Sequence, residues 1–172
     1  SWDLEKLTEI INEQNLNPKY IINTHWHDDH TRGNEDLAKE LSVKIVQHSA
    51  SQLKNDLTVS DGDSIKFGCS ELAVYHTPGH SKDSICLVGD GKIFSGDTLF
   101  VGNCGRIDLP GGSAKELYHG LFDVIANLSD DLVLYPGHDY GSSSTSTIGK
   151  EKQTNPVMQK MSENEFVERM GG

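Results

Sequence analysis

The stretch Asn23 to Asn34, NTHWHDDHTRGN, limits this chain more than any other. It places His25, His27, Asp28, Asp29 and His30 directly after the apolar, strand-like run Tyr20-Ile21-Ile22. On an extended backbone His25 and His27, two apart, project to the same side. Asp29 and His30 lie past the bend, able to face back toward them or toward a second ion. Imidazole and carboxylate are borderline nitrogen and oxygen donors, suited to zinc, iron or manganese rather than to calcium or magnesium. The bland alternative is a polar loop whose histidines are solvated or cap the next helix.

The rest of the chain argues against that alternative. His80 stands in TPGHS after the alternating run Leu72 to His76, Asp97 in FSGDT after Lys92-Ile93-Phe94, and His138 in YPGHDYG after Leu132 to Tyr135. Each follows a short apolar run, so all are expected at the C-terminal ends of strands. Side chains carried there converge on one sheet edge, where open α/β folds place their sites. Gly79, Gly96 and Gly137 immediately precede His80, Asp97 and His138, and glycine admits the tight backbone that turns such a side chain inward. Scattered core histidines would show no such recurrence.

Between these motifs the pattern predicts alternating helices and strands. Leu4, Leu7 and Ile11 recur at helical spacing over residues 3–15, ended by Asn17-Pro18. Residues 19–24 read as a strand, Gly33 to Leu41 as a helix, Val43 to Gln47 as a buried strand, and Ser49 to Lys54 as a weak helix. Ser64 to Phe67 should pair with Glu71 to His76, and Ser84 to Val88 with Lys92 to Ser95 across Gly89-Asp90-Gly91. Ser113 to Glu116 forms a capping box for a helix to about Asn127, and Ser162 to Glu165 a second one. His48, His76 and His119 read as structural or surface residues, and residues 1–172 as a single domain.

Charge and cysteine content narrow the partners. The net charge of −11, from 26 acidic against 15 basic residues, argues against a nucleic-acid partner. Cys69, Cys86 and Cys104 show no paired spacing; Cys69 and Cys86 read as buried or incidental thiols, and the set suits a reducing compartment. No run approaches the roughly 20 apolar residues of a membrane span, and the chain enters an amphipathic helix without a leader pattern. The expectation is a cytoplasmic protein with no membrane association.

The ordered set THWHDDH, TPGH, SGDT and YPGH resembles that of the metallo-β-lactamase superfamily, over His25 to His138. Within it, DTLFVGNCGR and YPGHDYG resemble the branch of glyoxalase II hydrolases and persulfide dioxygenases, and STIGKEKQTNP is similar to both. The resemblance implies an α/β fold, a four-layered αββα sandwich, whose chain normally starts with several strands before the first helix. This sequence starts at that helix, so the first strands are expected to be missing and a sheet edge near residues 19–24 to be exposed, or covered by a partner such as a second copy.

The resemblance also implies ligand sets. His25, His27 and His80 would hold a first divalent metal ion; Asp29, His30 and His138 a second; Asp97 would bridge. Two ions about 3.5–4 Å apart can trap a hydroxide nucleophile, which Asp29 would orient as a catalytic residue. Arg106 is the candidate for binding an anionic, thiol-derived small-molecule substrate, unless it pairs with Asp108 or Asp139. Tyr140 is a second substrate candidate, and Asp139 a candidate to orient a ligand histidine. Cys104 is not expected to be a nucleophile.

Because every ligand for two ions (zinc, or iron or manganese) is present, hydrolysis of a small thioester stands first. Persulfide dioxygenation at one ferrous ion held by His25, His80 and Asp97 is the alternative, favoured by CGR and HDY; glyoxalase II commonly has glutamate where Asp139 stands. A non-catalytic metal-binding protein is the third reading.

Overall fold

The computed structural model describes residues 4–171. It opens on α1 (Leu4–Glu13); residue 3, where the sequence pattern starts this helix, lies outside the described residues. Then come β1 (Tyr20–Ile22), the short α2 (Asp28–Thr31), α3 (Asn34–Leu41), β2 (Lys44–His48) and β3 (Leu57–Val59). The three strands form a parallel sheet in the order β1-β2-β3. Among the described residues β1 is bonded on one side only, so the edge anticipated near residues 19–24 is there.

The second sheet starts with the hairpin β4 (Ser64–Phe67) and β5 (Ser70–His76), paired as expected. It continues through β6 (Ile85–Gly89) and β7 (Lys92–Gly96), which turn tightly at Asp90 and Gly91, both at positive φ. A small hairpin of β8 (Leu99–Phe100) and β9 (Asn103–Cys104) stands apart. After α4 (Ala114–His119), β10 (Val133–Pro136) joins β7 in parallel and β11 (Ser146–Thr147) closes the sheet. Two helices end the chain, α5 (Ile148–Thr154) and α6 (Glu163–Arg169).

Alternation along the central strands decides the layering. Ile85 and Leu87 of β6 point into a core shared with Val46 of β2 and Val59 of β3. Cys86, between them, points the other way, into a core with Leu117, Leu121, Ile125 and Phe166. One face of the six-stranded sheet therefore meets the small sheet and the other meets the helices. With α3 against β1 and β2, the layers run helix, sheet, sheet, helix. Burying one such aliphatic side chain contributes about 1.5–3 kcal/mol, so the strict alternation also fixes strand register.

Three local expectations need correction. Residues 49–54 are not helical: the Ser51 hydroxyl bonds Gln47 and accepts from the Leu53 N–H, competing with helix formation. The helix after Ser113 reaches Asn127 only through a π-helical turn, Gly120–Val124, and a 3₁₀ turn, Ile125–Asn127. Its capping box is half made, with the Glu116 N–H donating to Ser113, whereas the box at Ser162 and Glu165 is complete. The reading of Cys69 and Cys86 as buried or incidental thiols holds, with Cys86 buried and Cys69 exposed.

Candidate metal centre

β5, β7 and β10 run in one direction, so the loops after them leave from the same edge. They carry His80, Asp97 and His138. The loop after β1, on the facing sheet, supplies His25 and His27, and α2 supplies Asp29 and His30. Two of the preceding glycines act through positive φ: at Gly79 and Gly96 an added Cβ would also strike Leu117 or Thr24 within 2.6 Å. Gly137 acts through space alone, since its Cβ would lie 2.4 Å from Asp97 Oδ1.

All seven expected ligand residues meet in one cluster. His27 Nδ1 lies 2.9 Å from His80 Nε2, and His30 Nε2 3.1 Å from His138 Nε2. Asp97 stands between the two groups, with Oδ1 3.2 Å from His30 Nε2, and Oδ2 3.6 Å from His80 Nε2 and 3.4 Å from His138 Nε2. Asp29 Oδ2 is 3.3 Å from His138 Nε2 and 3.8 Å from His30 Nε2. The donor atoms of His25, His27 and His80, and those of Asp29, His30 and His138, fall within 4.8 Å of one another.

The arrangement fits divalent cations. Metal–nitrogen distances of about 2.0–2.1 Å in a tetrahedral site put ligand atoms about 3.3 Å apart, the range seen between these groups. His25 Nε2 is buried without a hydrogen-bond partner among the described residues, and such an orphaned atom is costly unless something else satisfies it. Burial first, then neighbouring histidines, drives the His25 pKa down to about 2 and lowers that of His27, so both imidazoles keep a lone pair. Burial works to raise the Asp97 pKa, but His30, His25 and His80 together outweigh it and hold the carboxyl below its ordinary value.

Partners behind the cluster set its tautomers. A carbonyl can only accept, so His80 Nδ1–H donates to the Arg106 carbonyl at 2.7 Å, which turns Nε2 toward Asp97. His25 Nδ1 meets the Thr24 hydroxyl at 3.2 Å. Neither partner was foreseen; a backbone carbonyl leaves no mark in a sequence. Asp139, the expected orienting residue, is exposed and shows no hydrogen bond or ion pair, so this role passes to Thr24 and the Arg106 carbonyl.

The cluster floors a cleft of about 800 Å³. Phe100, Val101 and Leu109 give it apolar walls, and Arg106, Asn103 and Tyr140 line it too. The Arg106 guanidinium forks onto Asp108 at 2.6 and 2.5 Å, which is the ion-pair alternative, yet it remains exposed at the cleft. Tyr140 stacks on His138, 4.8 Å between ring centroids. Cys104 is buried, and burial pushes its thiol up to about 12, which suits no nucleophile. His48 and His76 stack on each other and take no part in the cluster; His119 pairs with Asp123 and Glu163 on the surface. No helix among the described residues is long and apolar enough to cross a membrane.

Comparison with known proteins agrees with this geometry. A sequence model for the metallo-beta-lactamase superfamily matches residues 1–52 and 48–138. The human mitochondrial persulfide dioxygenase ETHE1 is 37% identical over 166 residues, which are 95% of this chain and 65% of that protein. A hydroxyacylglutathione hydrolase from Tolumonas auensis is 39% identical over 137 residues, 77% of this chain and 52% of that one. The chain thus spans less than two thirds of the length of these relatives. Among solved structures, ETHE1 from Myxococcus xanthus superposes with a TM-score of 0.90 at 30% identity, covering 99% of this chain and 76% of that one. A metallo-beta-lactamase from Staphylococcus aureus superposes with a TM-score of 0.87 at 32% identity, covering 98% and 56%.

Proposed function

We infer function from one premise: this chain belongs to the metallo-beta-lactamase superfamily. Its relatives include a dioxygenase and thioester hydrolases, and the His/Asp cluster fits metal-dependent chemistry. We propose that it oxidises the terminal sulfur of a small persulfide at the His25, His80 and Asp97 end of the cluster. The observation that carries this reading is the 37% identity to a persulfide dioxygenase held over 95% of the chain. The balanced change is RSSH + O2 + H2O → RSH + SO3²⁻ + 2 H⁺; the S–S bond breaks and the outer sulfur leaves as sulfite.

With two imidazoles and a carboxylate, His25, His80 and Asp97 would hold a ferrous ion, which would supply open positions for dioxygen and the persulfide. The remaining work belongs to the chain. The Arg106 carbonyl keeps His80 in the ligating tautomer. The Arg106 guanidinium, whose Nε and Nη2 fork onto Asp108, would offer its remaining Nη1 to a substrate carboxylate or the persulfide anion in a charge-assisted hydrogen bond. Phe100, Val101 and Leu109 would pack the carbon skeleton and keep water from the reacting sulfur.

Thioester hydrolysis by a metal-bridging hydroxide is the second reading, favoured by one observation. Asp29, His30 and His138 are assembled beside Asp97 as a second ligand set, and Asp29 would then orient the hydroxide. Turnover of glutathione persulfide and of S-D-lactoylglutathione by iron-loaded and zinc-loaded protein separates the two. Sulfite formation with oxygen uptake on one iron per chain supports dioxygenation. Thioester cleavage on two ions, with no oxygen uptake, sinks it in favour of hydrolysis.

A further inference from the structure

Glu151 is 1% exposed and Asn155 is fully buried, yet neither lines the cleft. Each turns one polar atom toward the hairpin that does. Glu151 Oε2 accepts from the Gly102 N–H at 2.8 Å and from Asn155 Nδ2 at 2.9 Å, while Oε1 accepts from the Ser146 hydroxyl. Asn155 Nδ2 also donates to the carbonyls of Phe100 and Asn103, at 3.2 and 3.1 Å. One amide group therefore clamps both sides of the turn between β8 and β9.

That turn is the surface on which the His138 loop rests. A Cβ at Gly141 would lie 2.7 Å from the Val101 carbonyl oxygen, so the two segments are in backbone contact. The Phe100 ring stands edge-on to His138 and Tyr140, with centroids 5.9 and 5.4 Å away. His25 and His27 come from the other sheet. Asp97 has an anchor outside the hairpin nearby, where Thr98 bonds Thr77 at 2.9 Å.

We propose that Glu151 and Asn155 are positioning residues: through the 99–104 hairpin they hold His138 in place, and so control the Asp29, His30 and His138 metal position more strongly than the His25, His27 and His80 position. This rests on reading those residues as two metal positions. Asn155→Asp keeps the shape but turns the donor into an acceptor facing two carbonyls and a carboxylate, so the clamp opens. Glu151→Gln keeps the Gly102 and Asn155 bonds on its amide oxygen and can donate to Ser146, so it should preserve the clamp.

Two measurements decide it, neither of them turnover. In metal-free protein, nitrogen–proton correlation spectra of the histidine rings should show His138 displaced in Asn155→Asp, with His25 unmoved and Glu151→Gln like the parent. In stepwise cobalt(II) titration, the second equivalent should weaken by about 10–100-fold, the range for partners behind metal ligands, and the first by less than about 2-fold. If Asn155→Asp does not fold, Asn155→Ala serves, because it removes the clamp without adding charge. Unmoved His138 resonances, or equal weakening of both equivalents, would overturn the proposal. Should the parent bind only one cobalt ion, the two-position reading fails, and the ring spectra still decide whether the clamp holds His138.

Discussion

His25 and Asp29 stand four residues apart and serve the two halves of the cluster on opposite terms. The half built on His25 and His80 is sealed, at 1% and 3% exposure. The other half is open, with the Asp29 side chain 44% and the His138 side chain 22% exposed. Burial has already stripped water from His25 and holds its pKa down to about 2, so a cation there replaces little solvent. The second set keeps water as a competitor. It hangs on a four-residue helix without a side-chain cap and on a loop leaning on a hairpin. A sealed half should therefore bind first and tightest, and an open half should be adjustable.

The largest effect tests what the halves share. Asp97→Ala removes the one carboxylate facing both and should weaken both equivalents by more than about 100-fold, beyond the cost of losing a supporting partner, as read by metal content after dialysis. His138→Ala should cost the open half alone: one ion retained, one lost. Oxygen uptake that persists in this variant would put the chemistry at the sealed half, whereas its loss would tie catalysis to both.

Acid should attack the sealed half of the metal-free protein. The folded-state pKa of His25 lies near 2, depressed first by burial, against 6.5 when unfolded. Between those values the unfolded chain binds a proton that the folded chain refuses, so stability falls as pH drops below about 6.5. His27 shifts the same way. The depressed Asp97 carboxyl adds a further loss below its ordinary pKa of 3.8. Urea midpoints should decline from pH 7 to pH 5, and His25→Asn should flatten that decline; a flat parent profile contradicts the burial argument.

Arg106→Met leaves both halves intact and should raise KM for an anionic substrate about tenfold, roughly 1.4 kcal/mol, with kcat little changed. The smallest effect is expected at His119, which pairs with Asp123 and Glu163 in solvent. His119→Ala should shift the urea midpoint by no more than about 1 kcal/mol of stability and leave metal binding alone.

Much of the cluster was legible because metal ligands announce themselves by type and by place. His80, Asp97 and His138 each follow an apolar run, and their glycines mark the strand ends. The supports were not legible. Thr24 and the Arg106 carbonyl do their work as ordinary polar atoms, and Asp139, beside His138 in sequence, is exposed and makes no hydrogen bond or ion pair among the described residues. The clamp of Asn155 on Phe100 and Asn103 joins segments more than 50 residues apart, a pairing that no local pattern encodes. Ser49 to Lys54 failed as a helix for a related reason: side-chain bonds to Gln47 and Ser51 outbid a weak local propensity.

Alternation of apolar and polar residues, with turns at glycine, was enough to determine the central strands and the edge on which the ligands gather, because burial acts on each side chain according to its own face. Which half of the cluster is dry, which carbonyl fixes a tautomer, and what holds His138 were decided only when distant segments packed together. Desolvation and hydrogen-bond geometry depend on all surrounding atoms at once, and the chain's order does not list its neighbours in space.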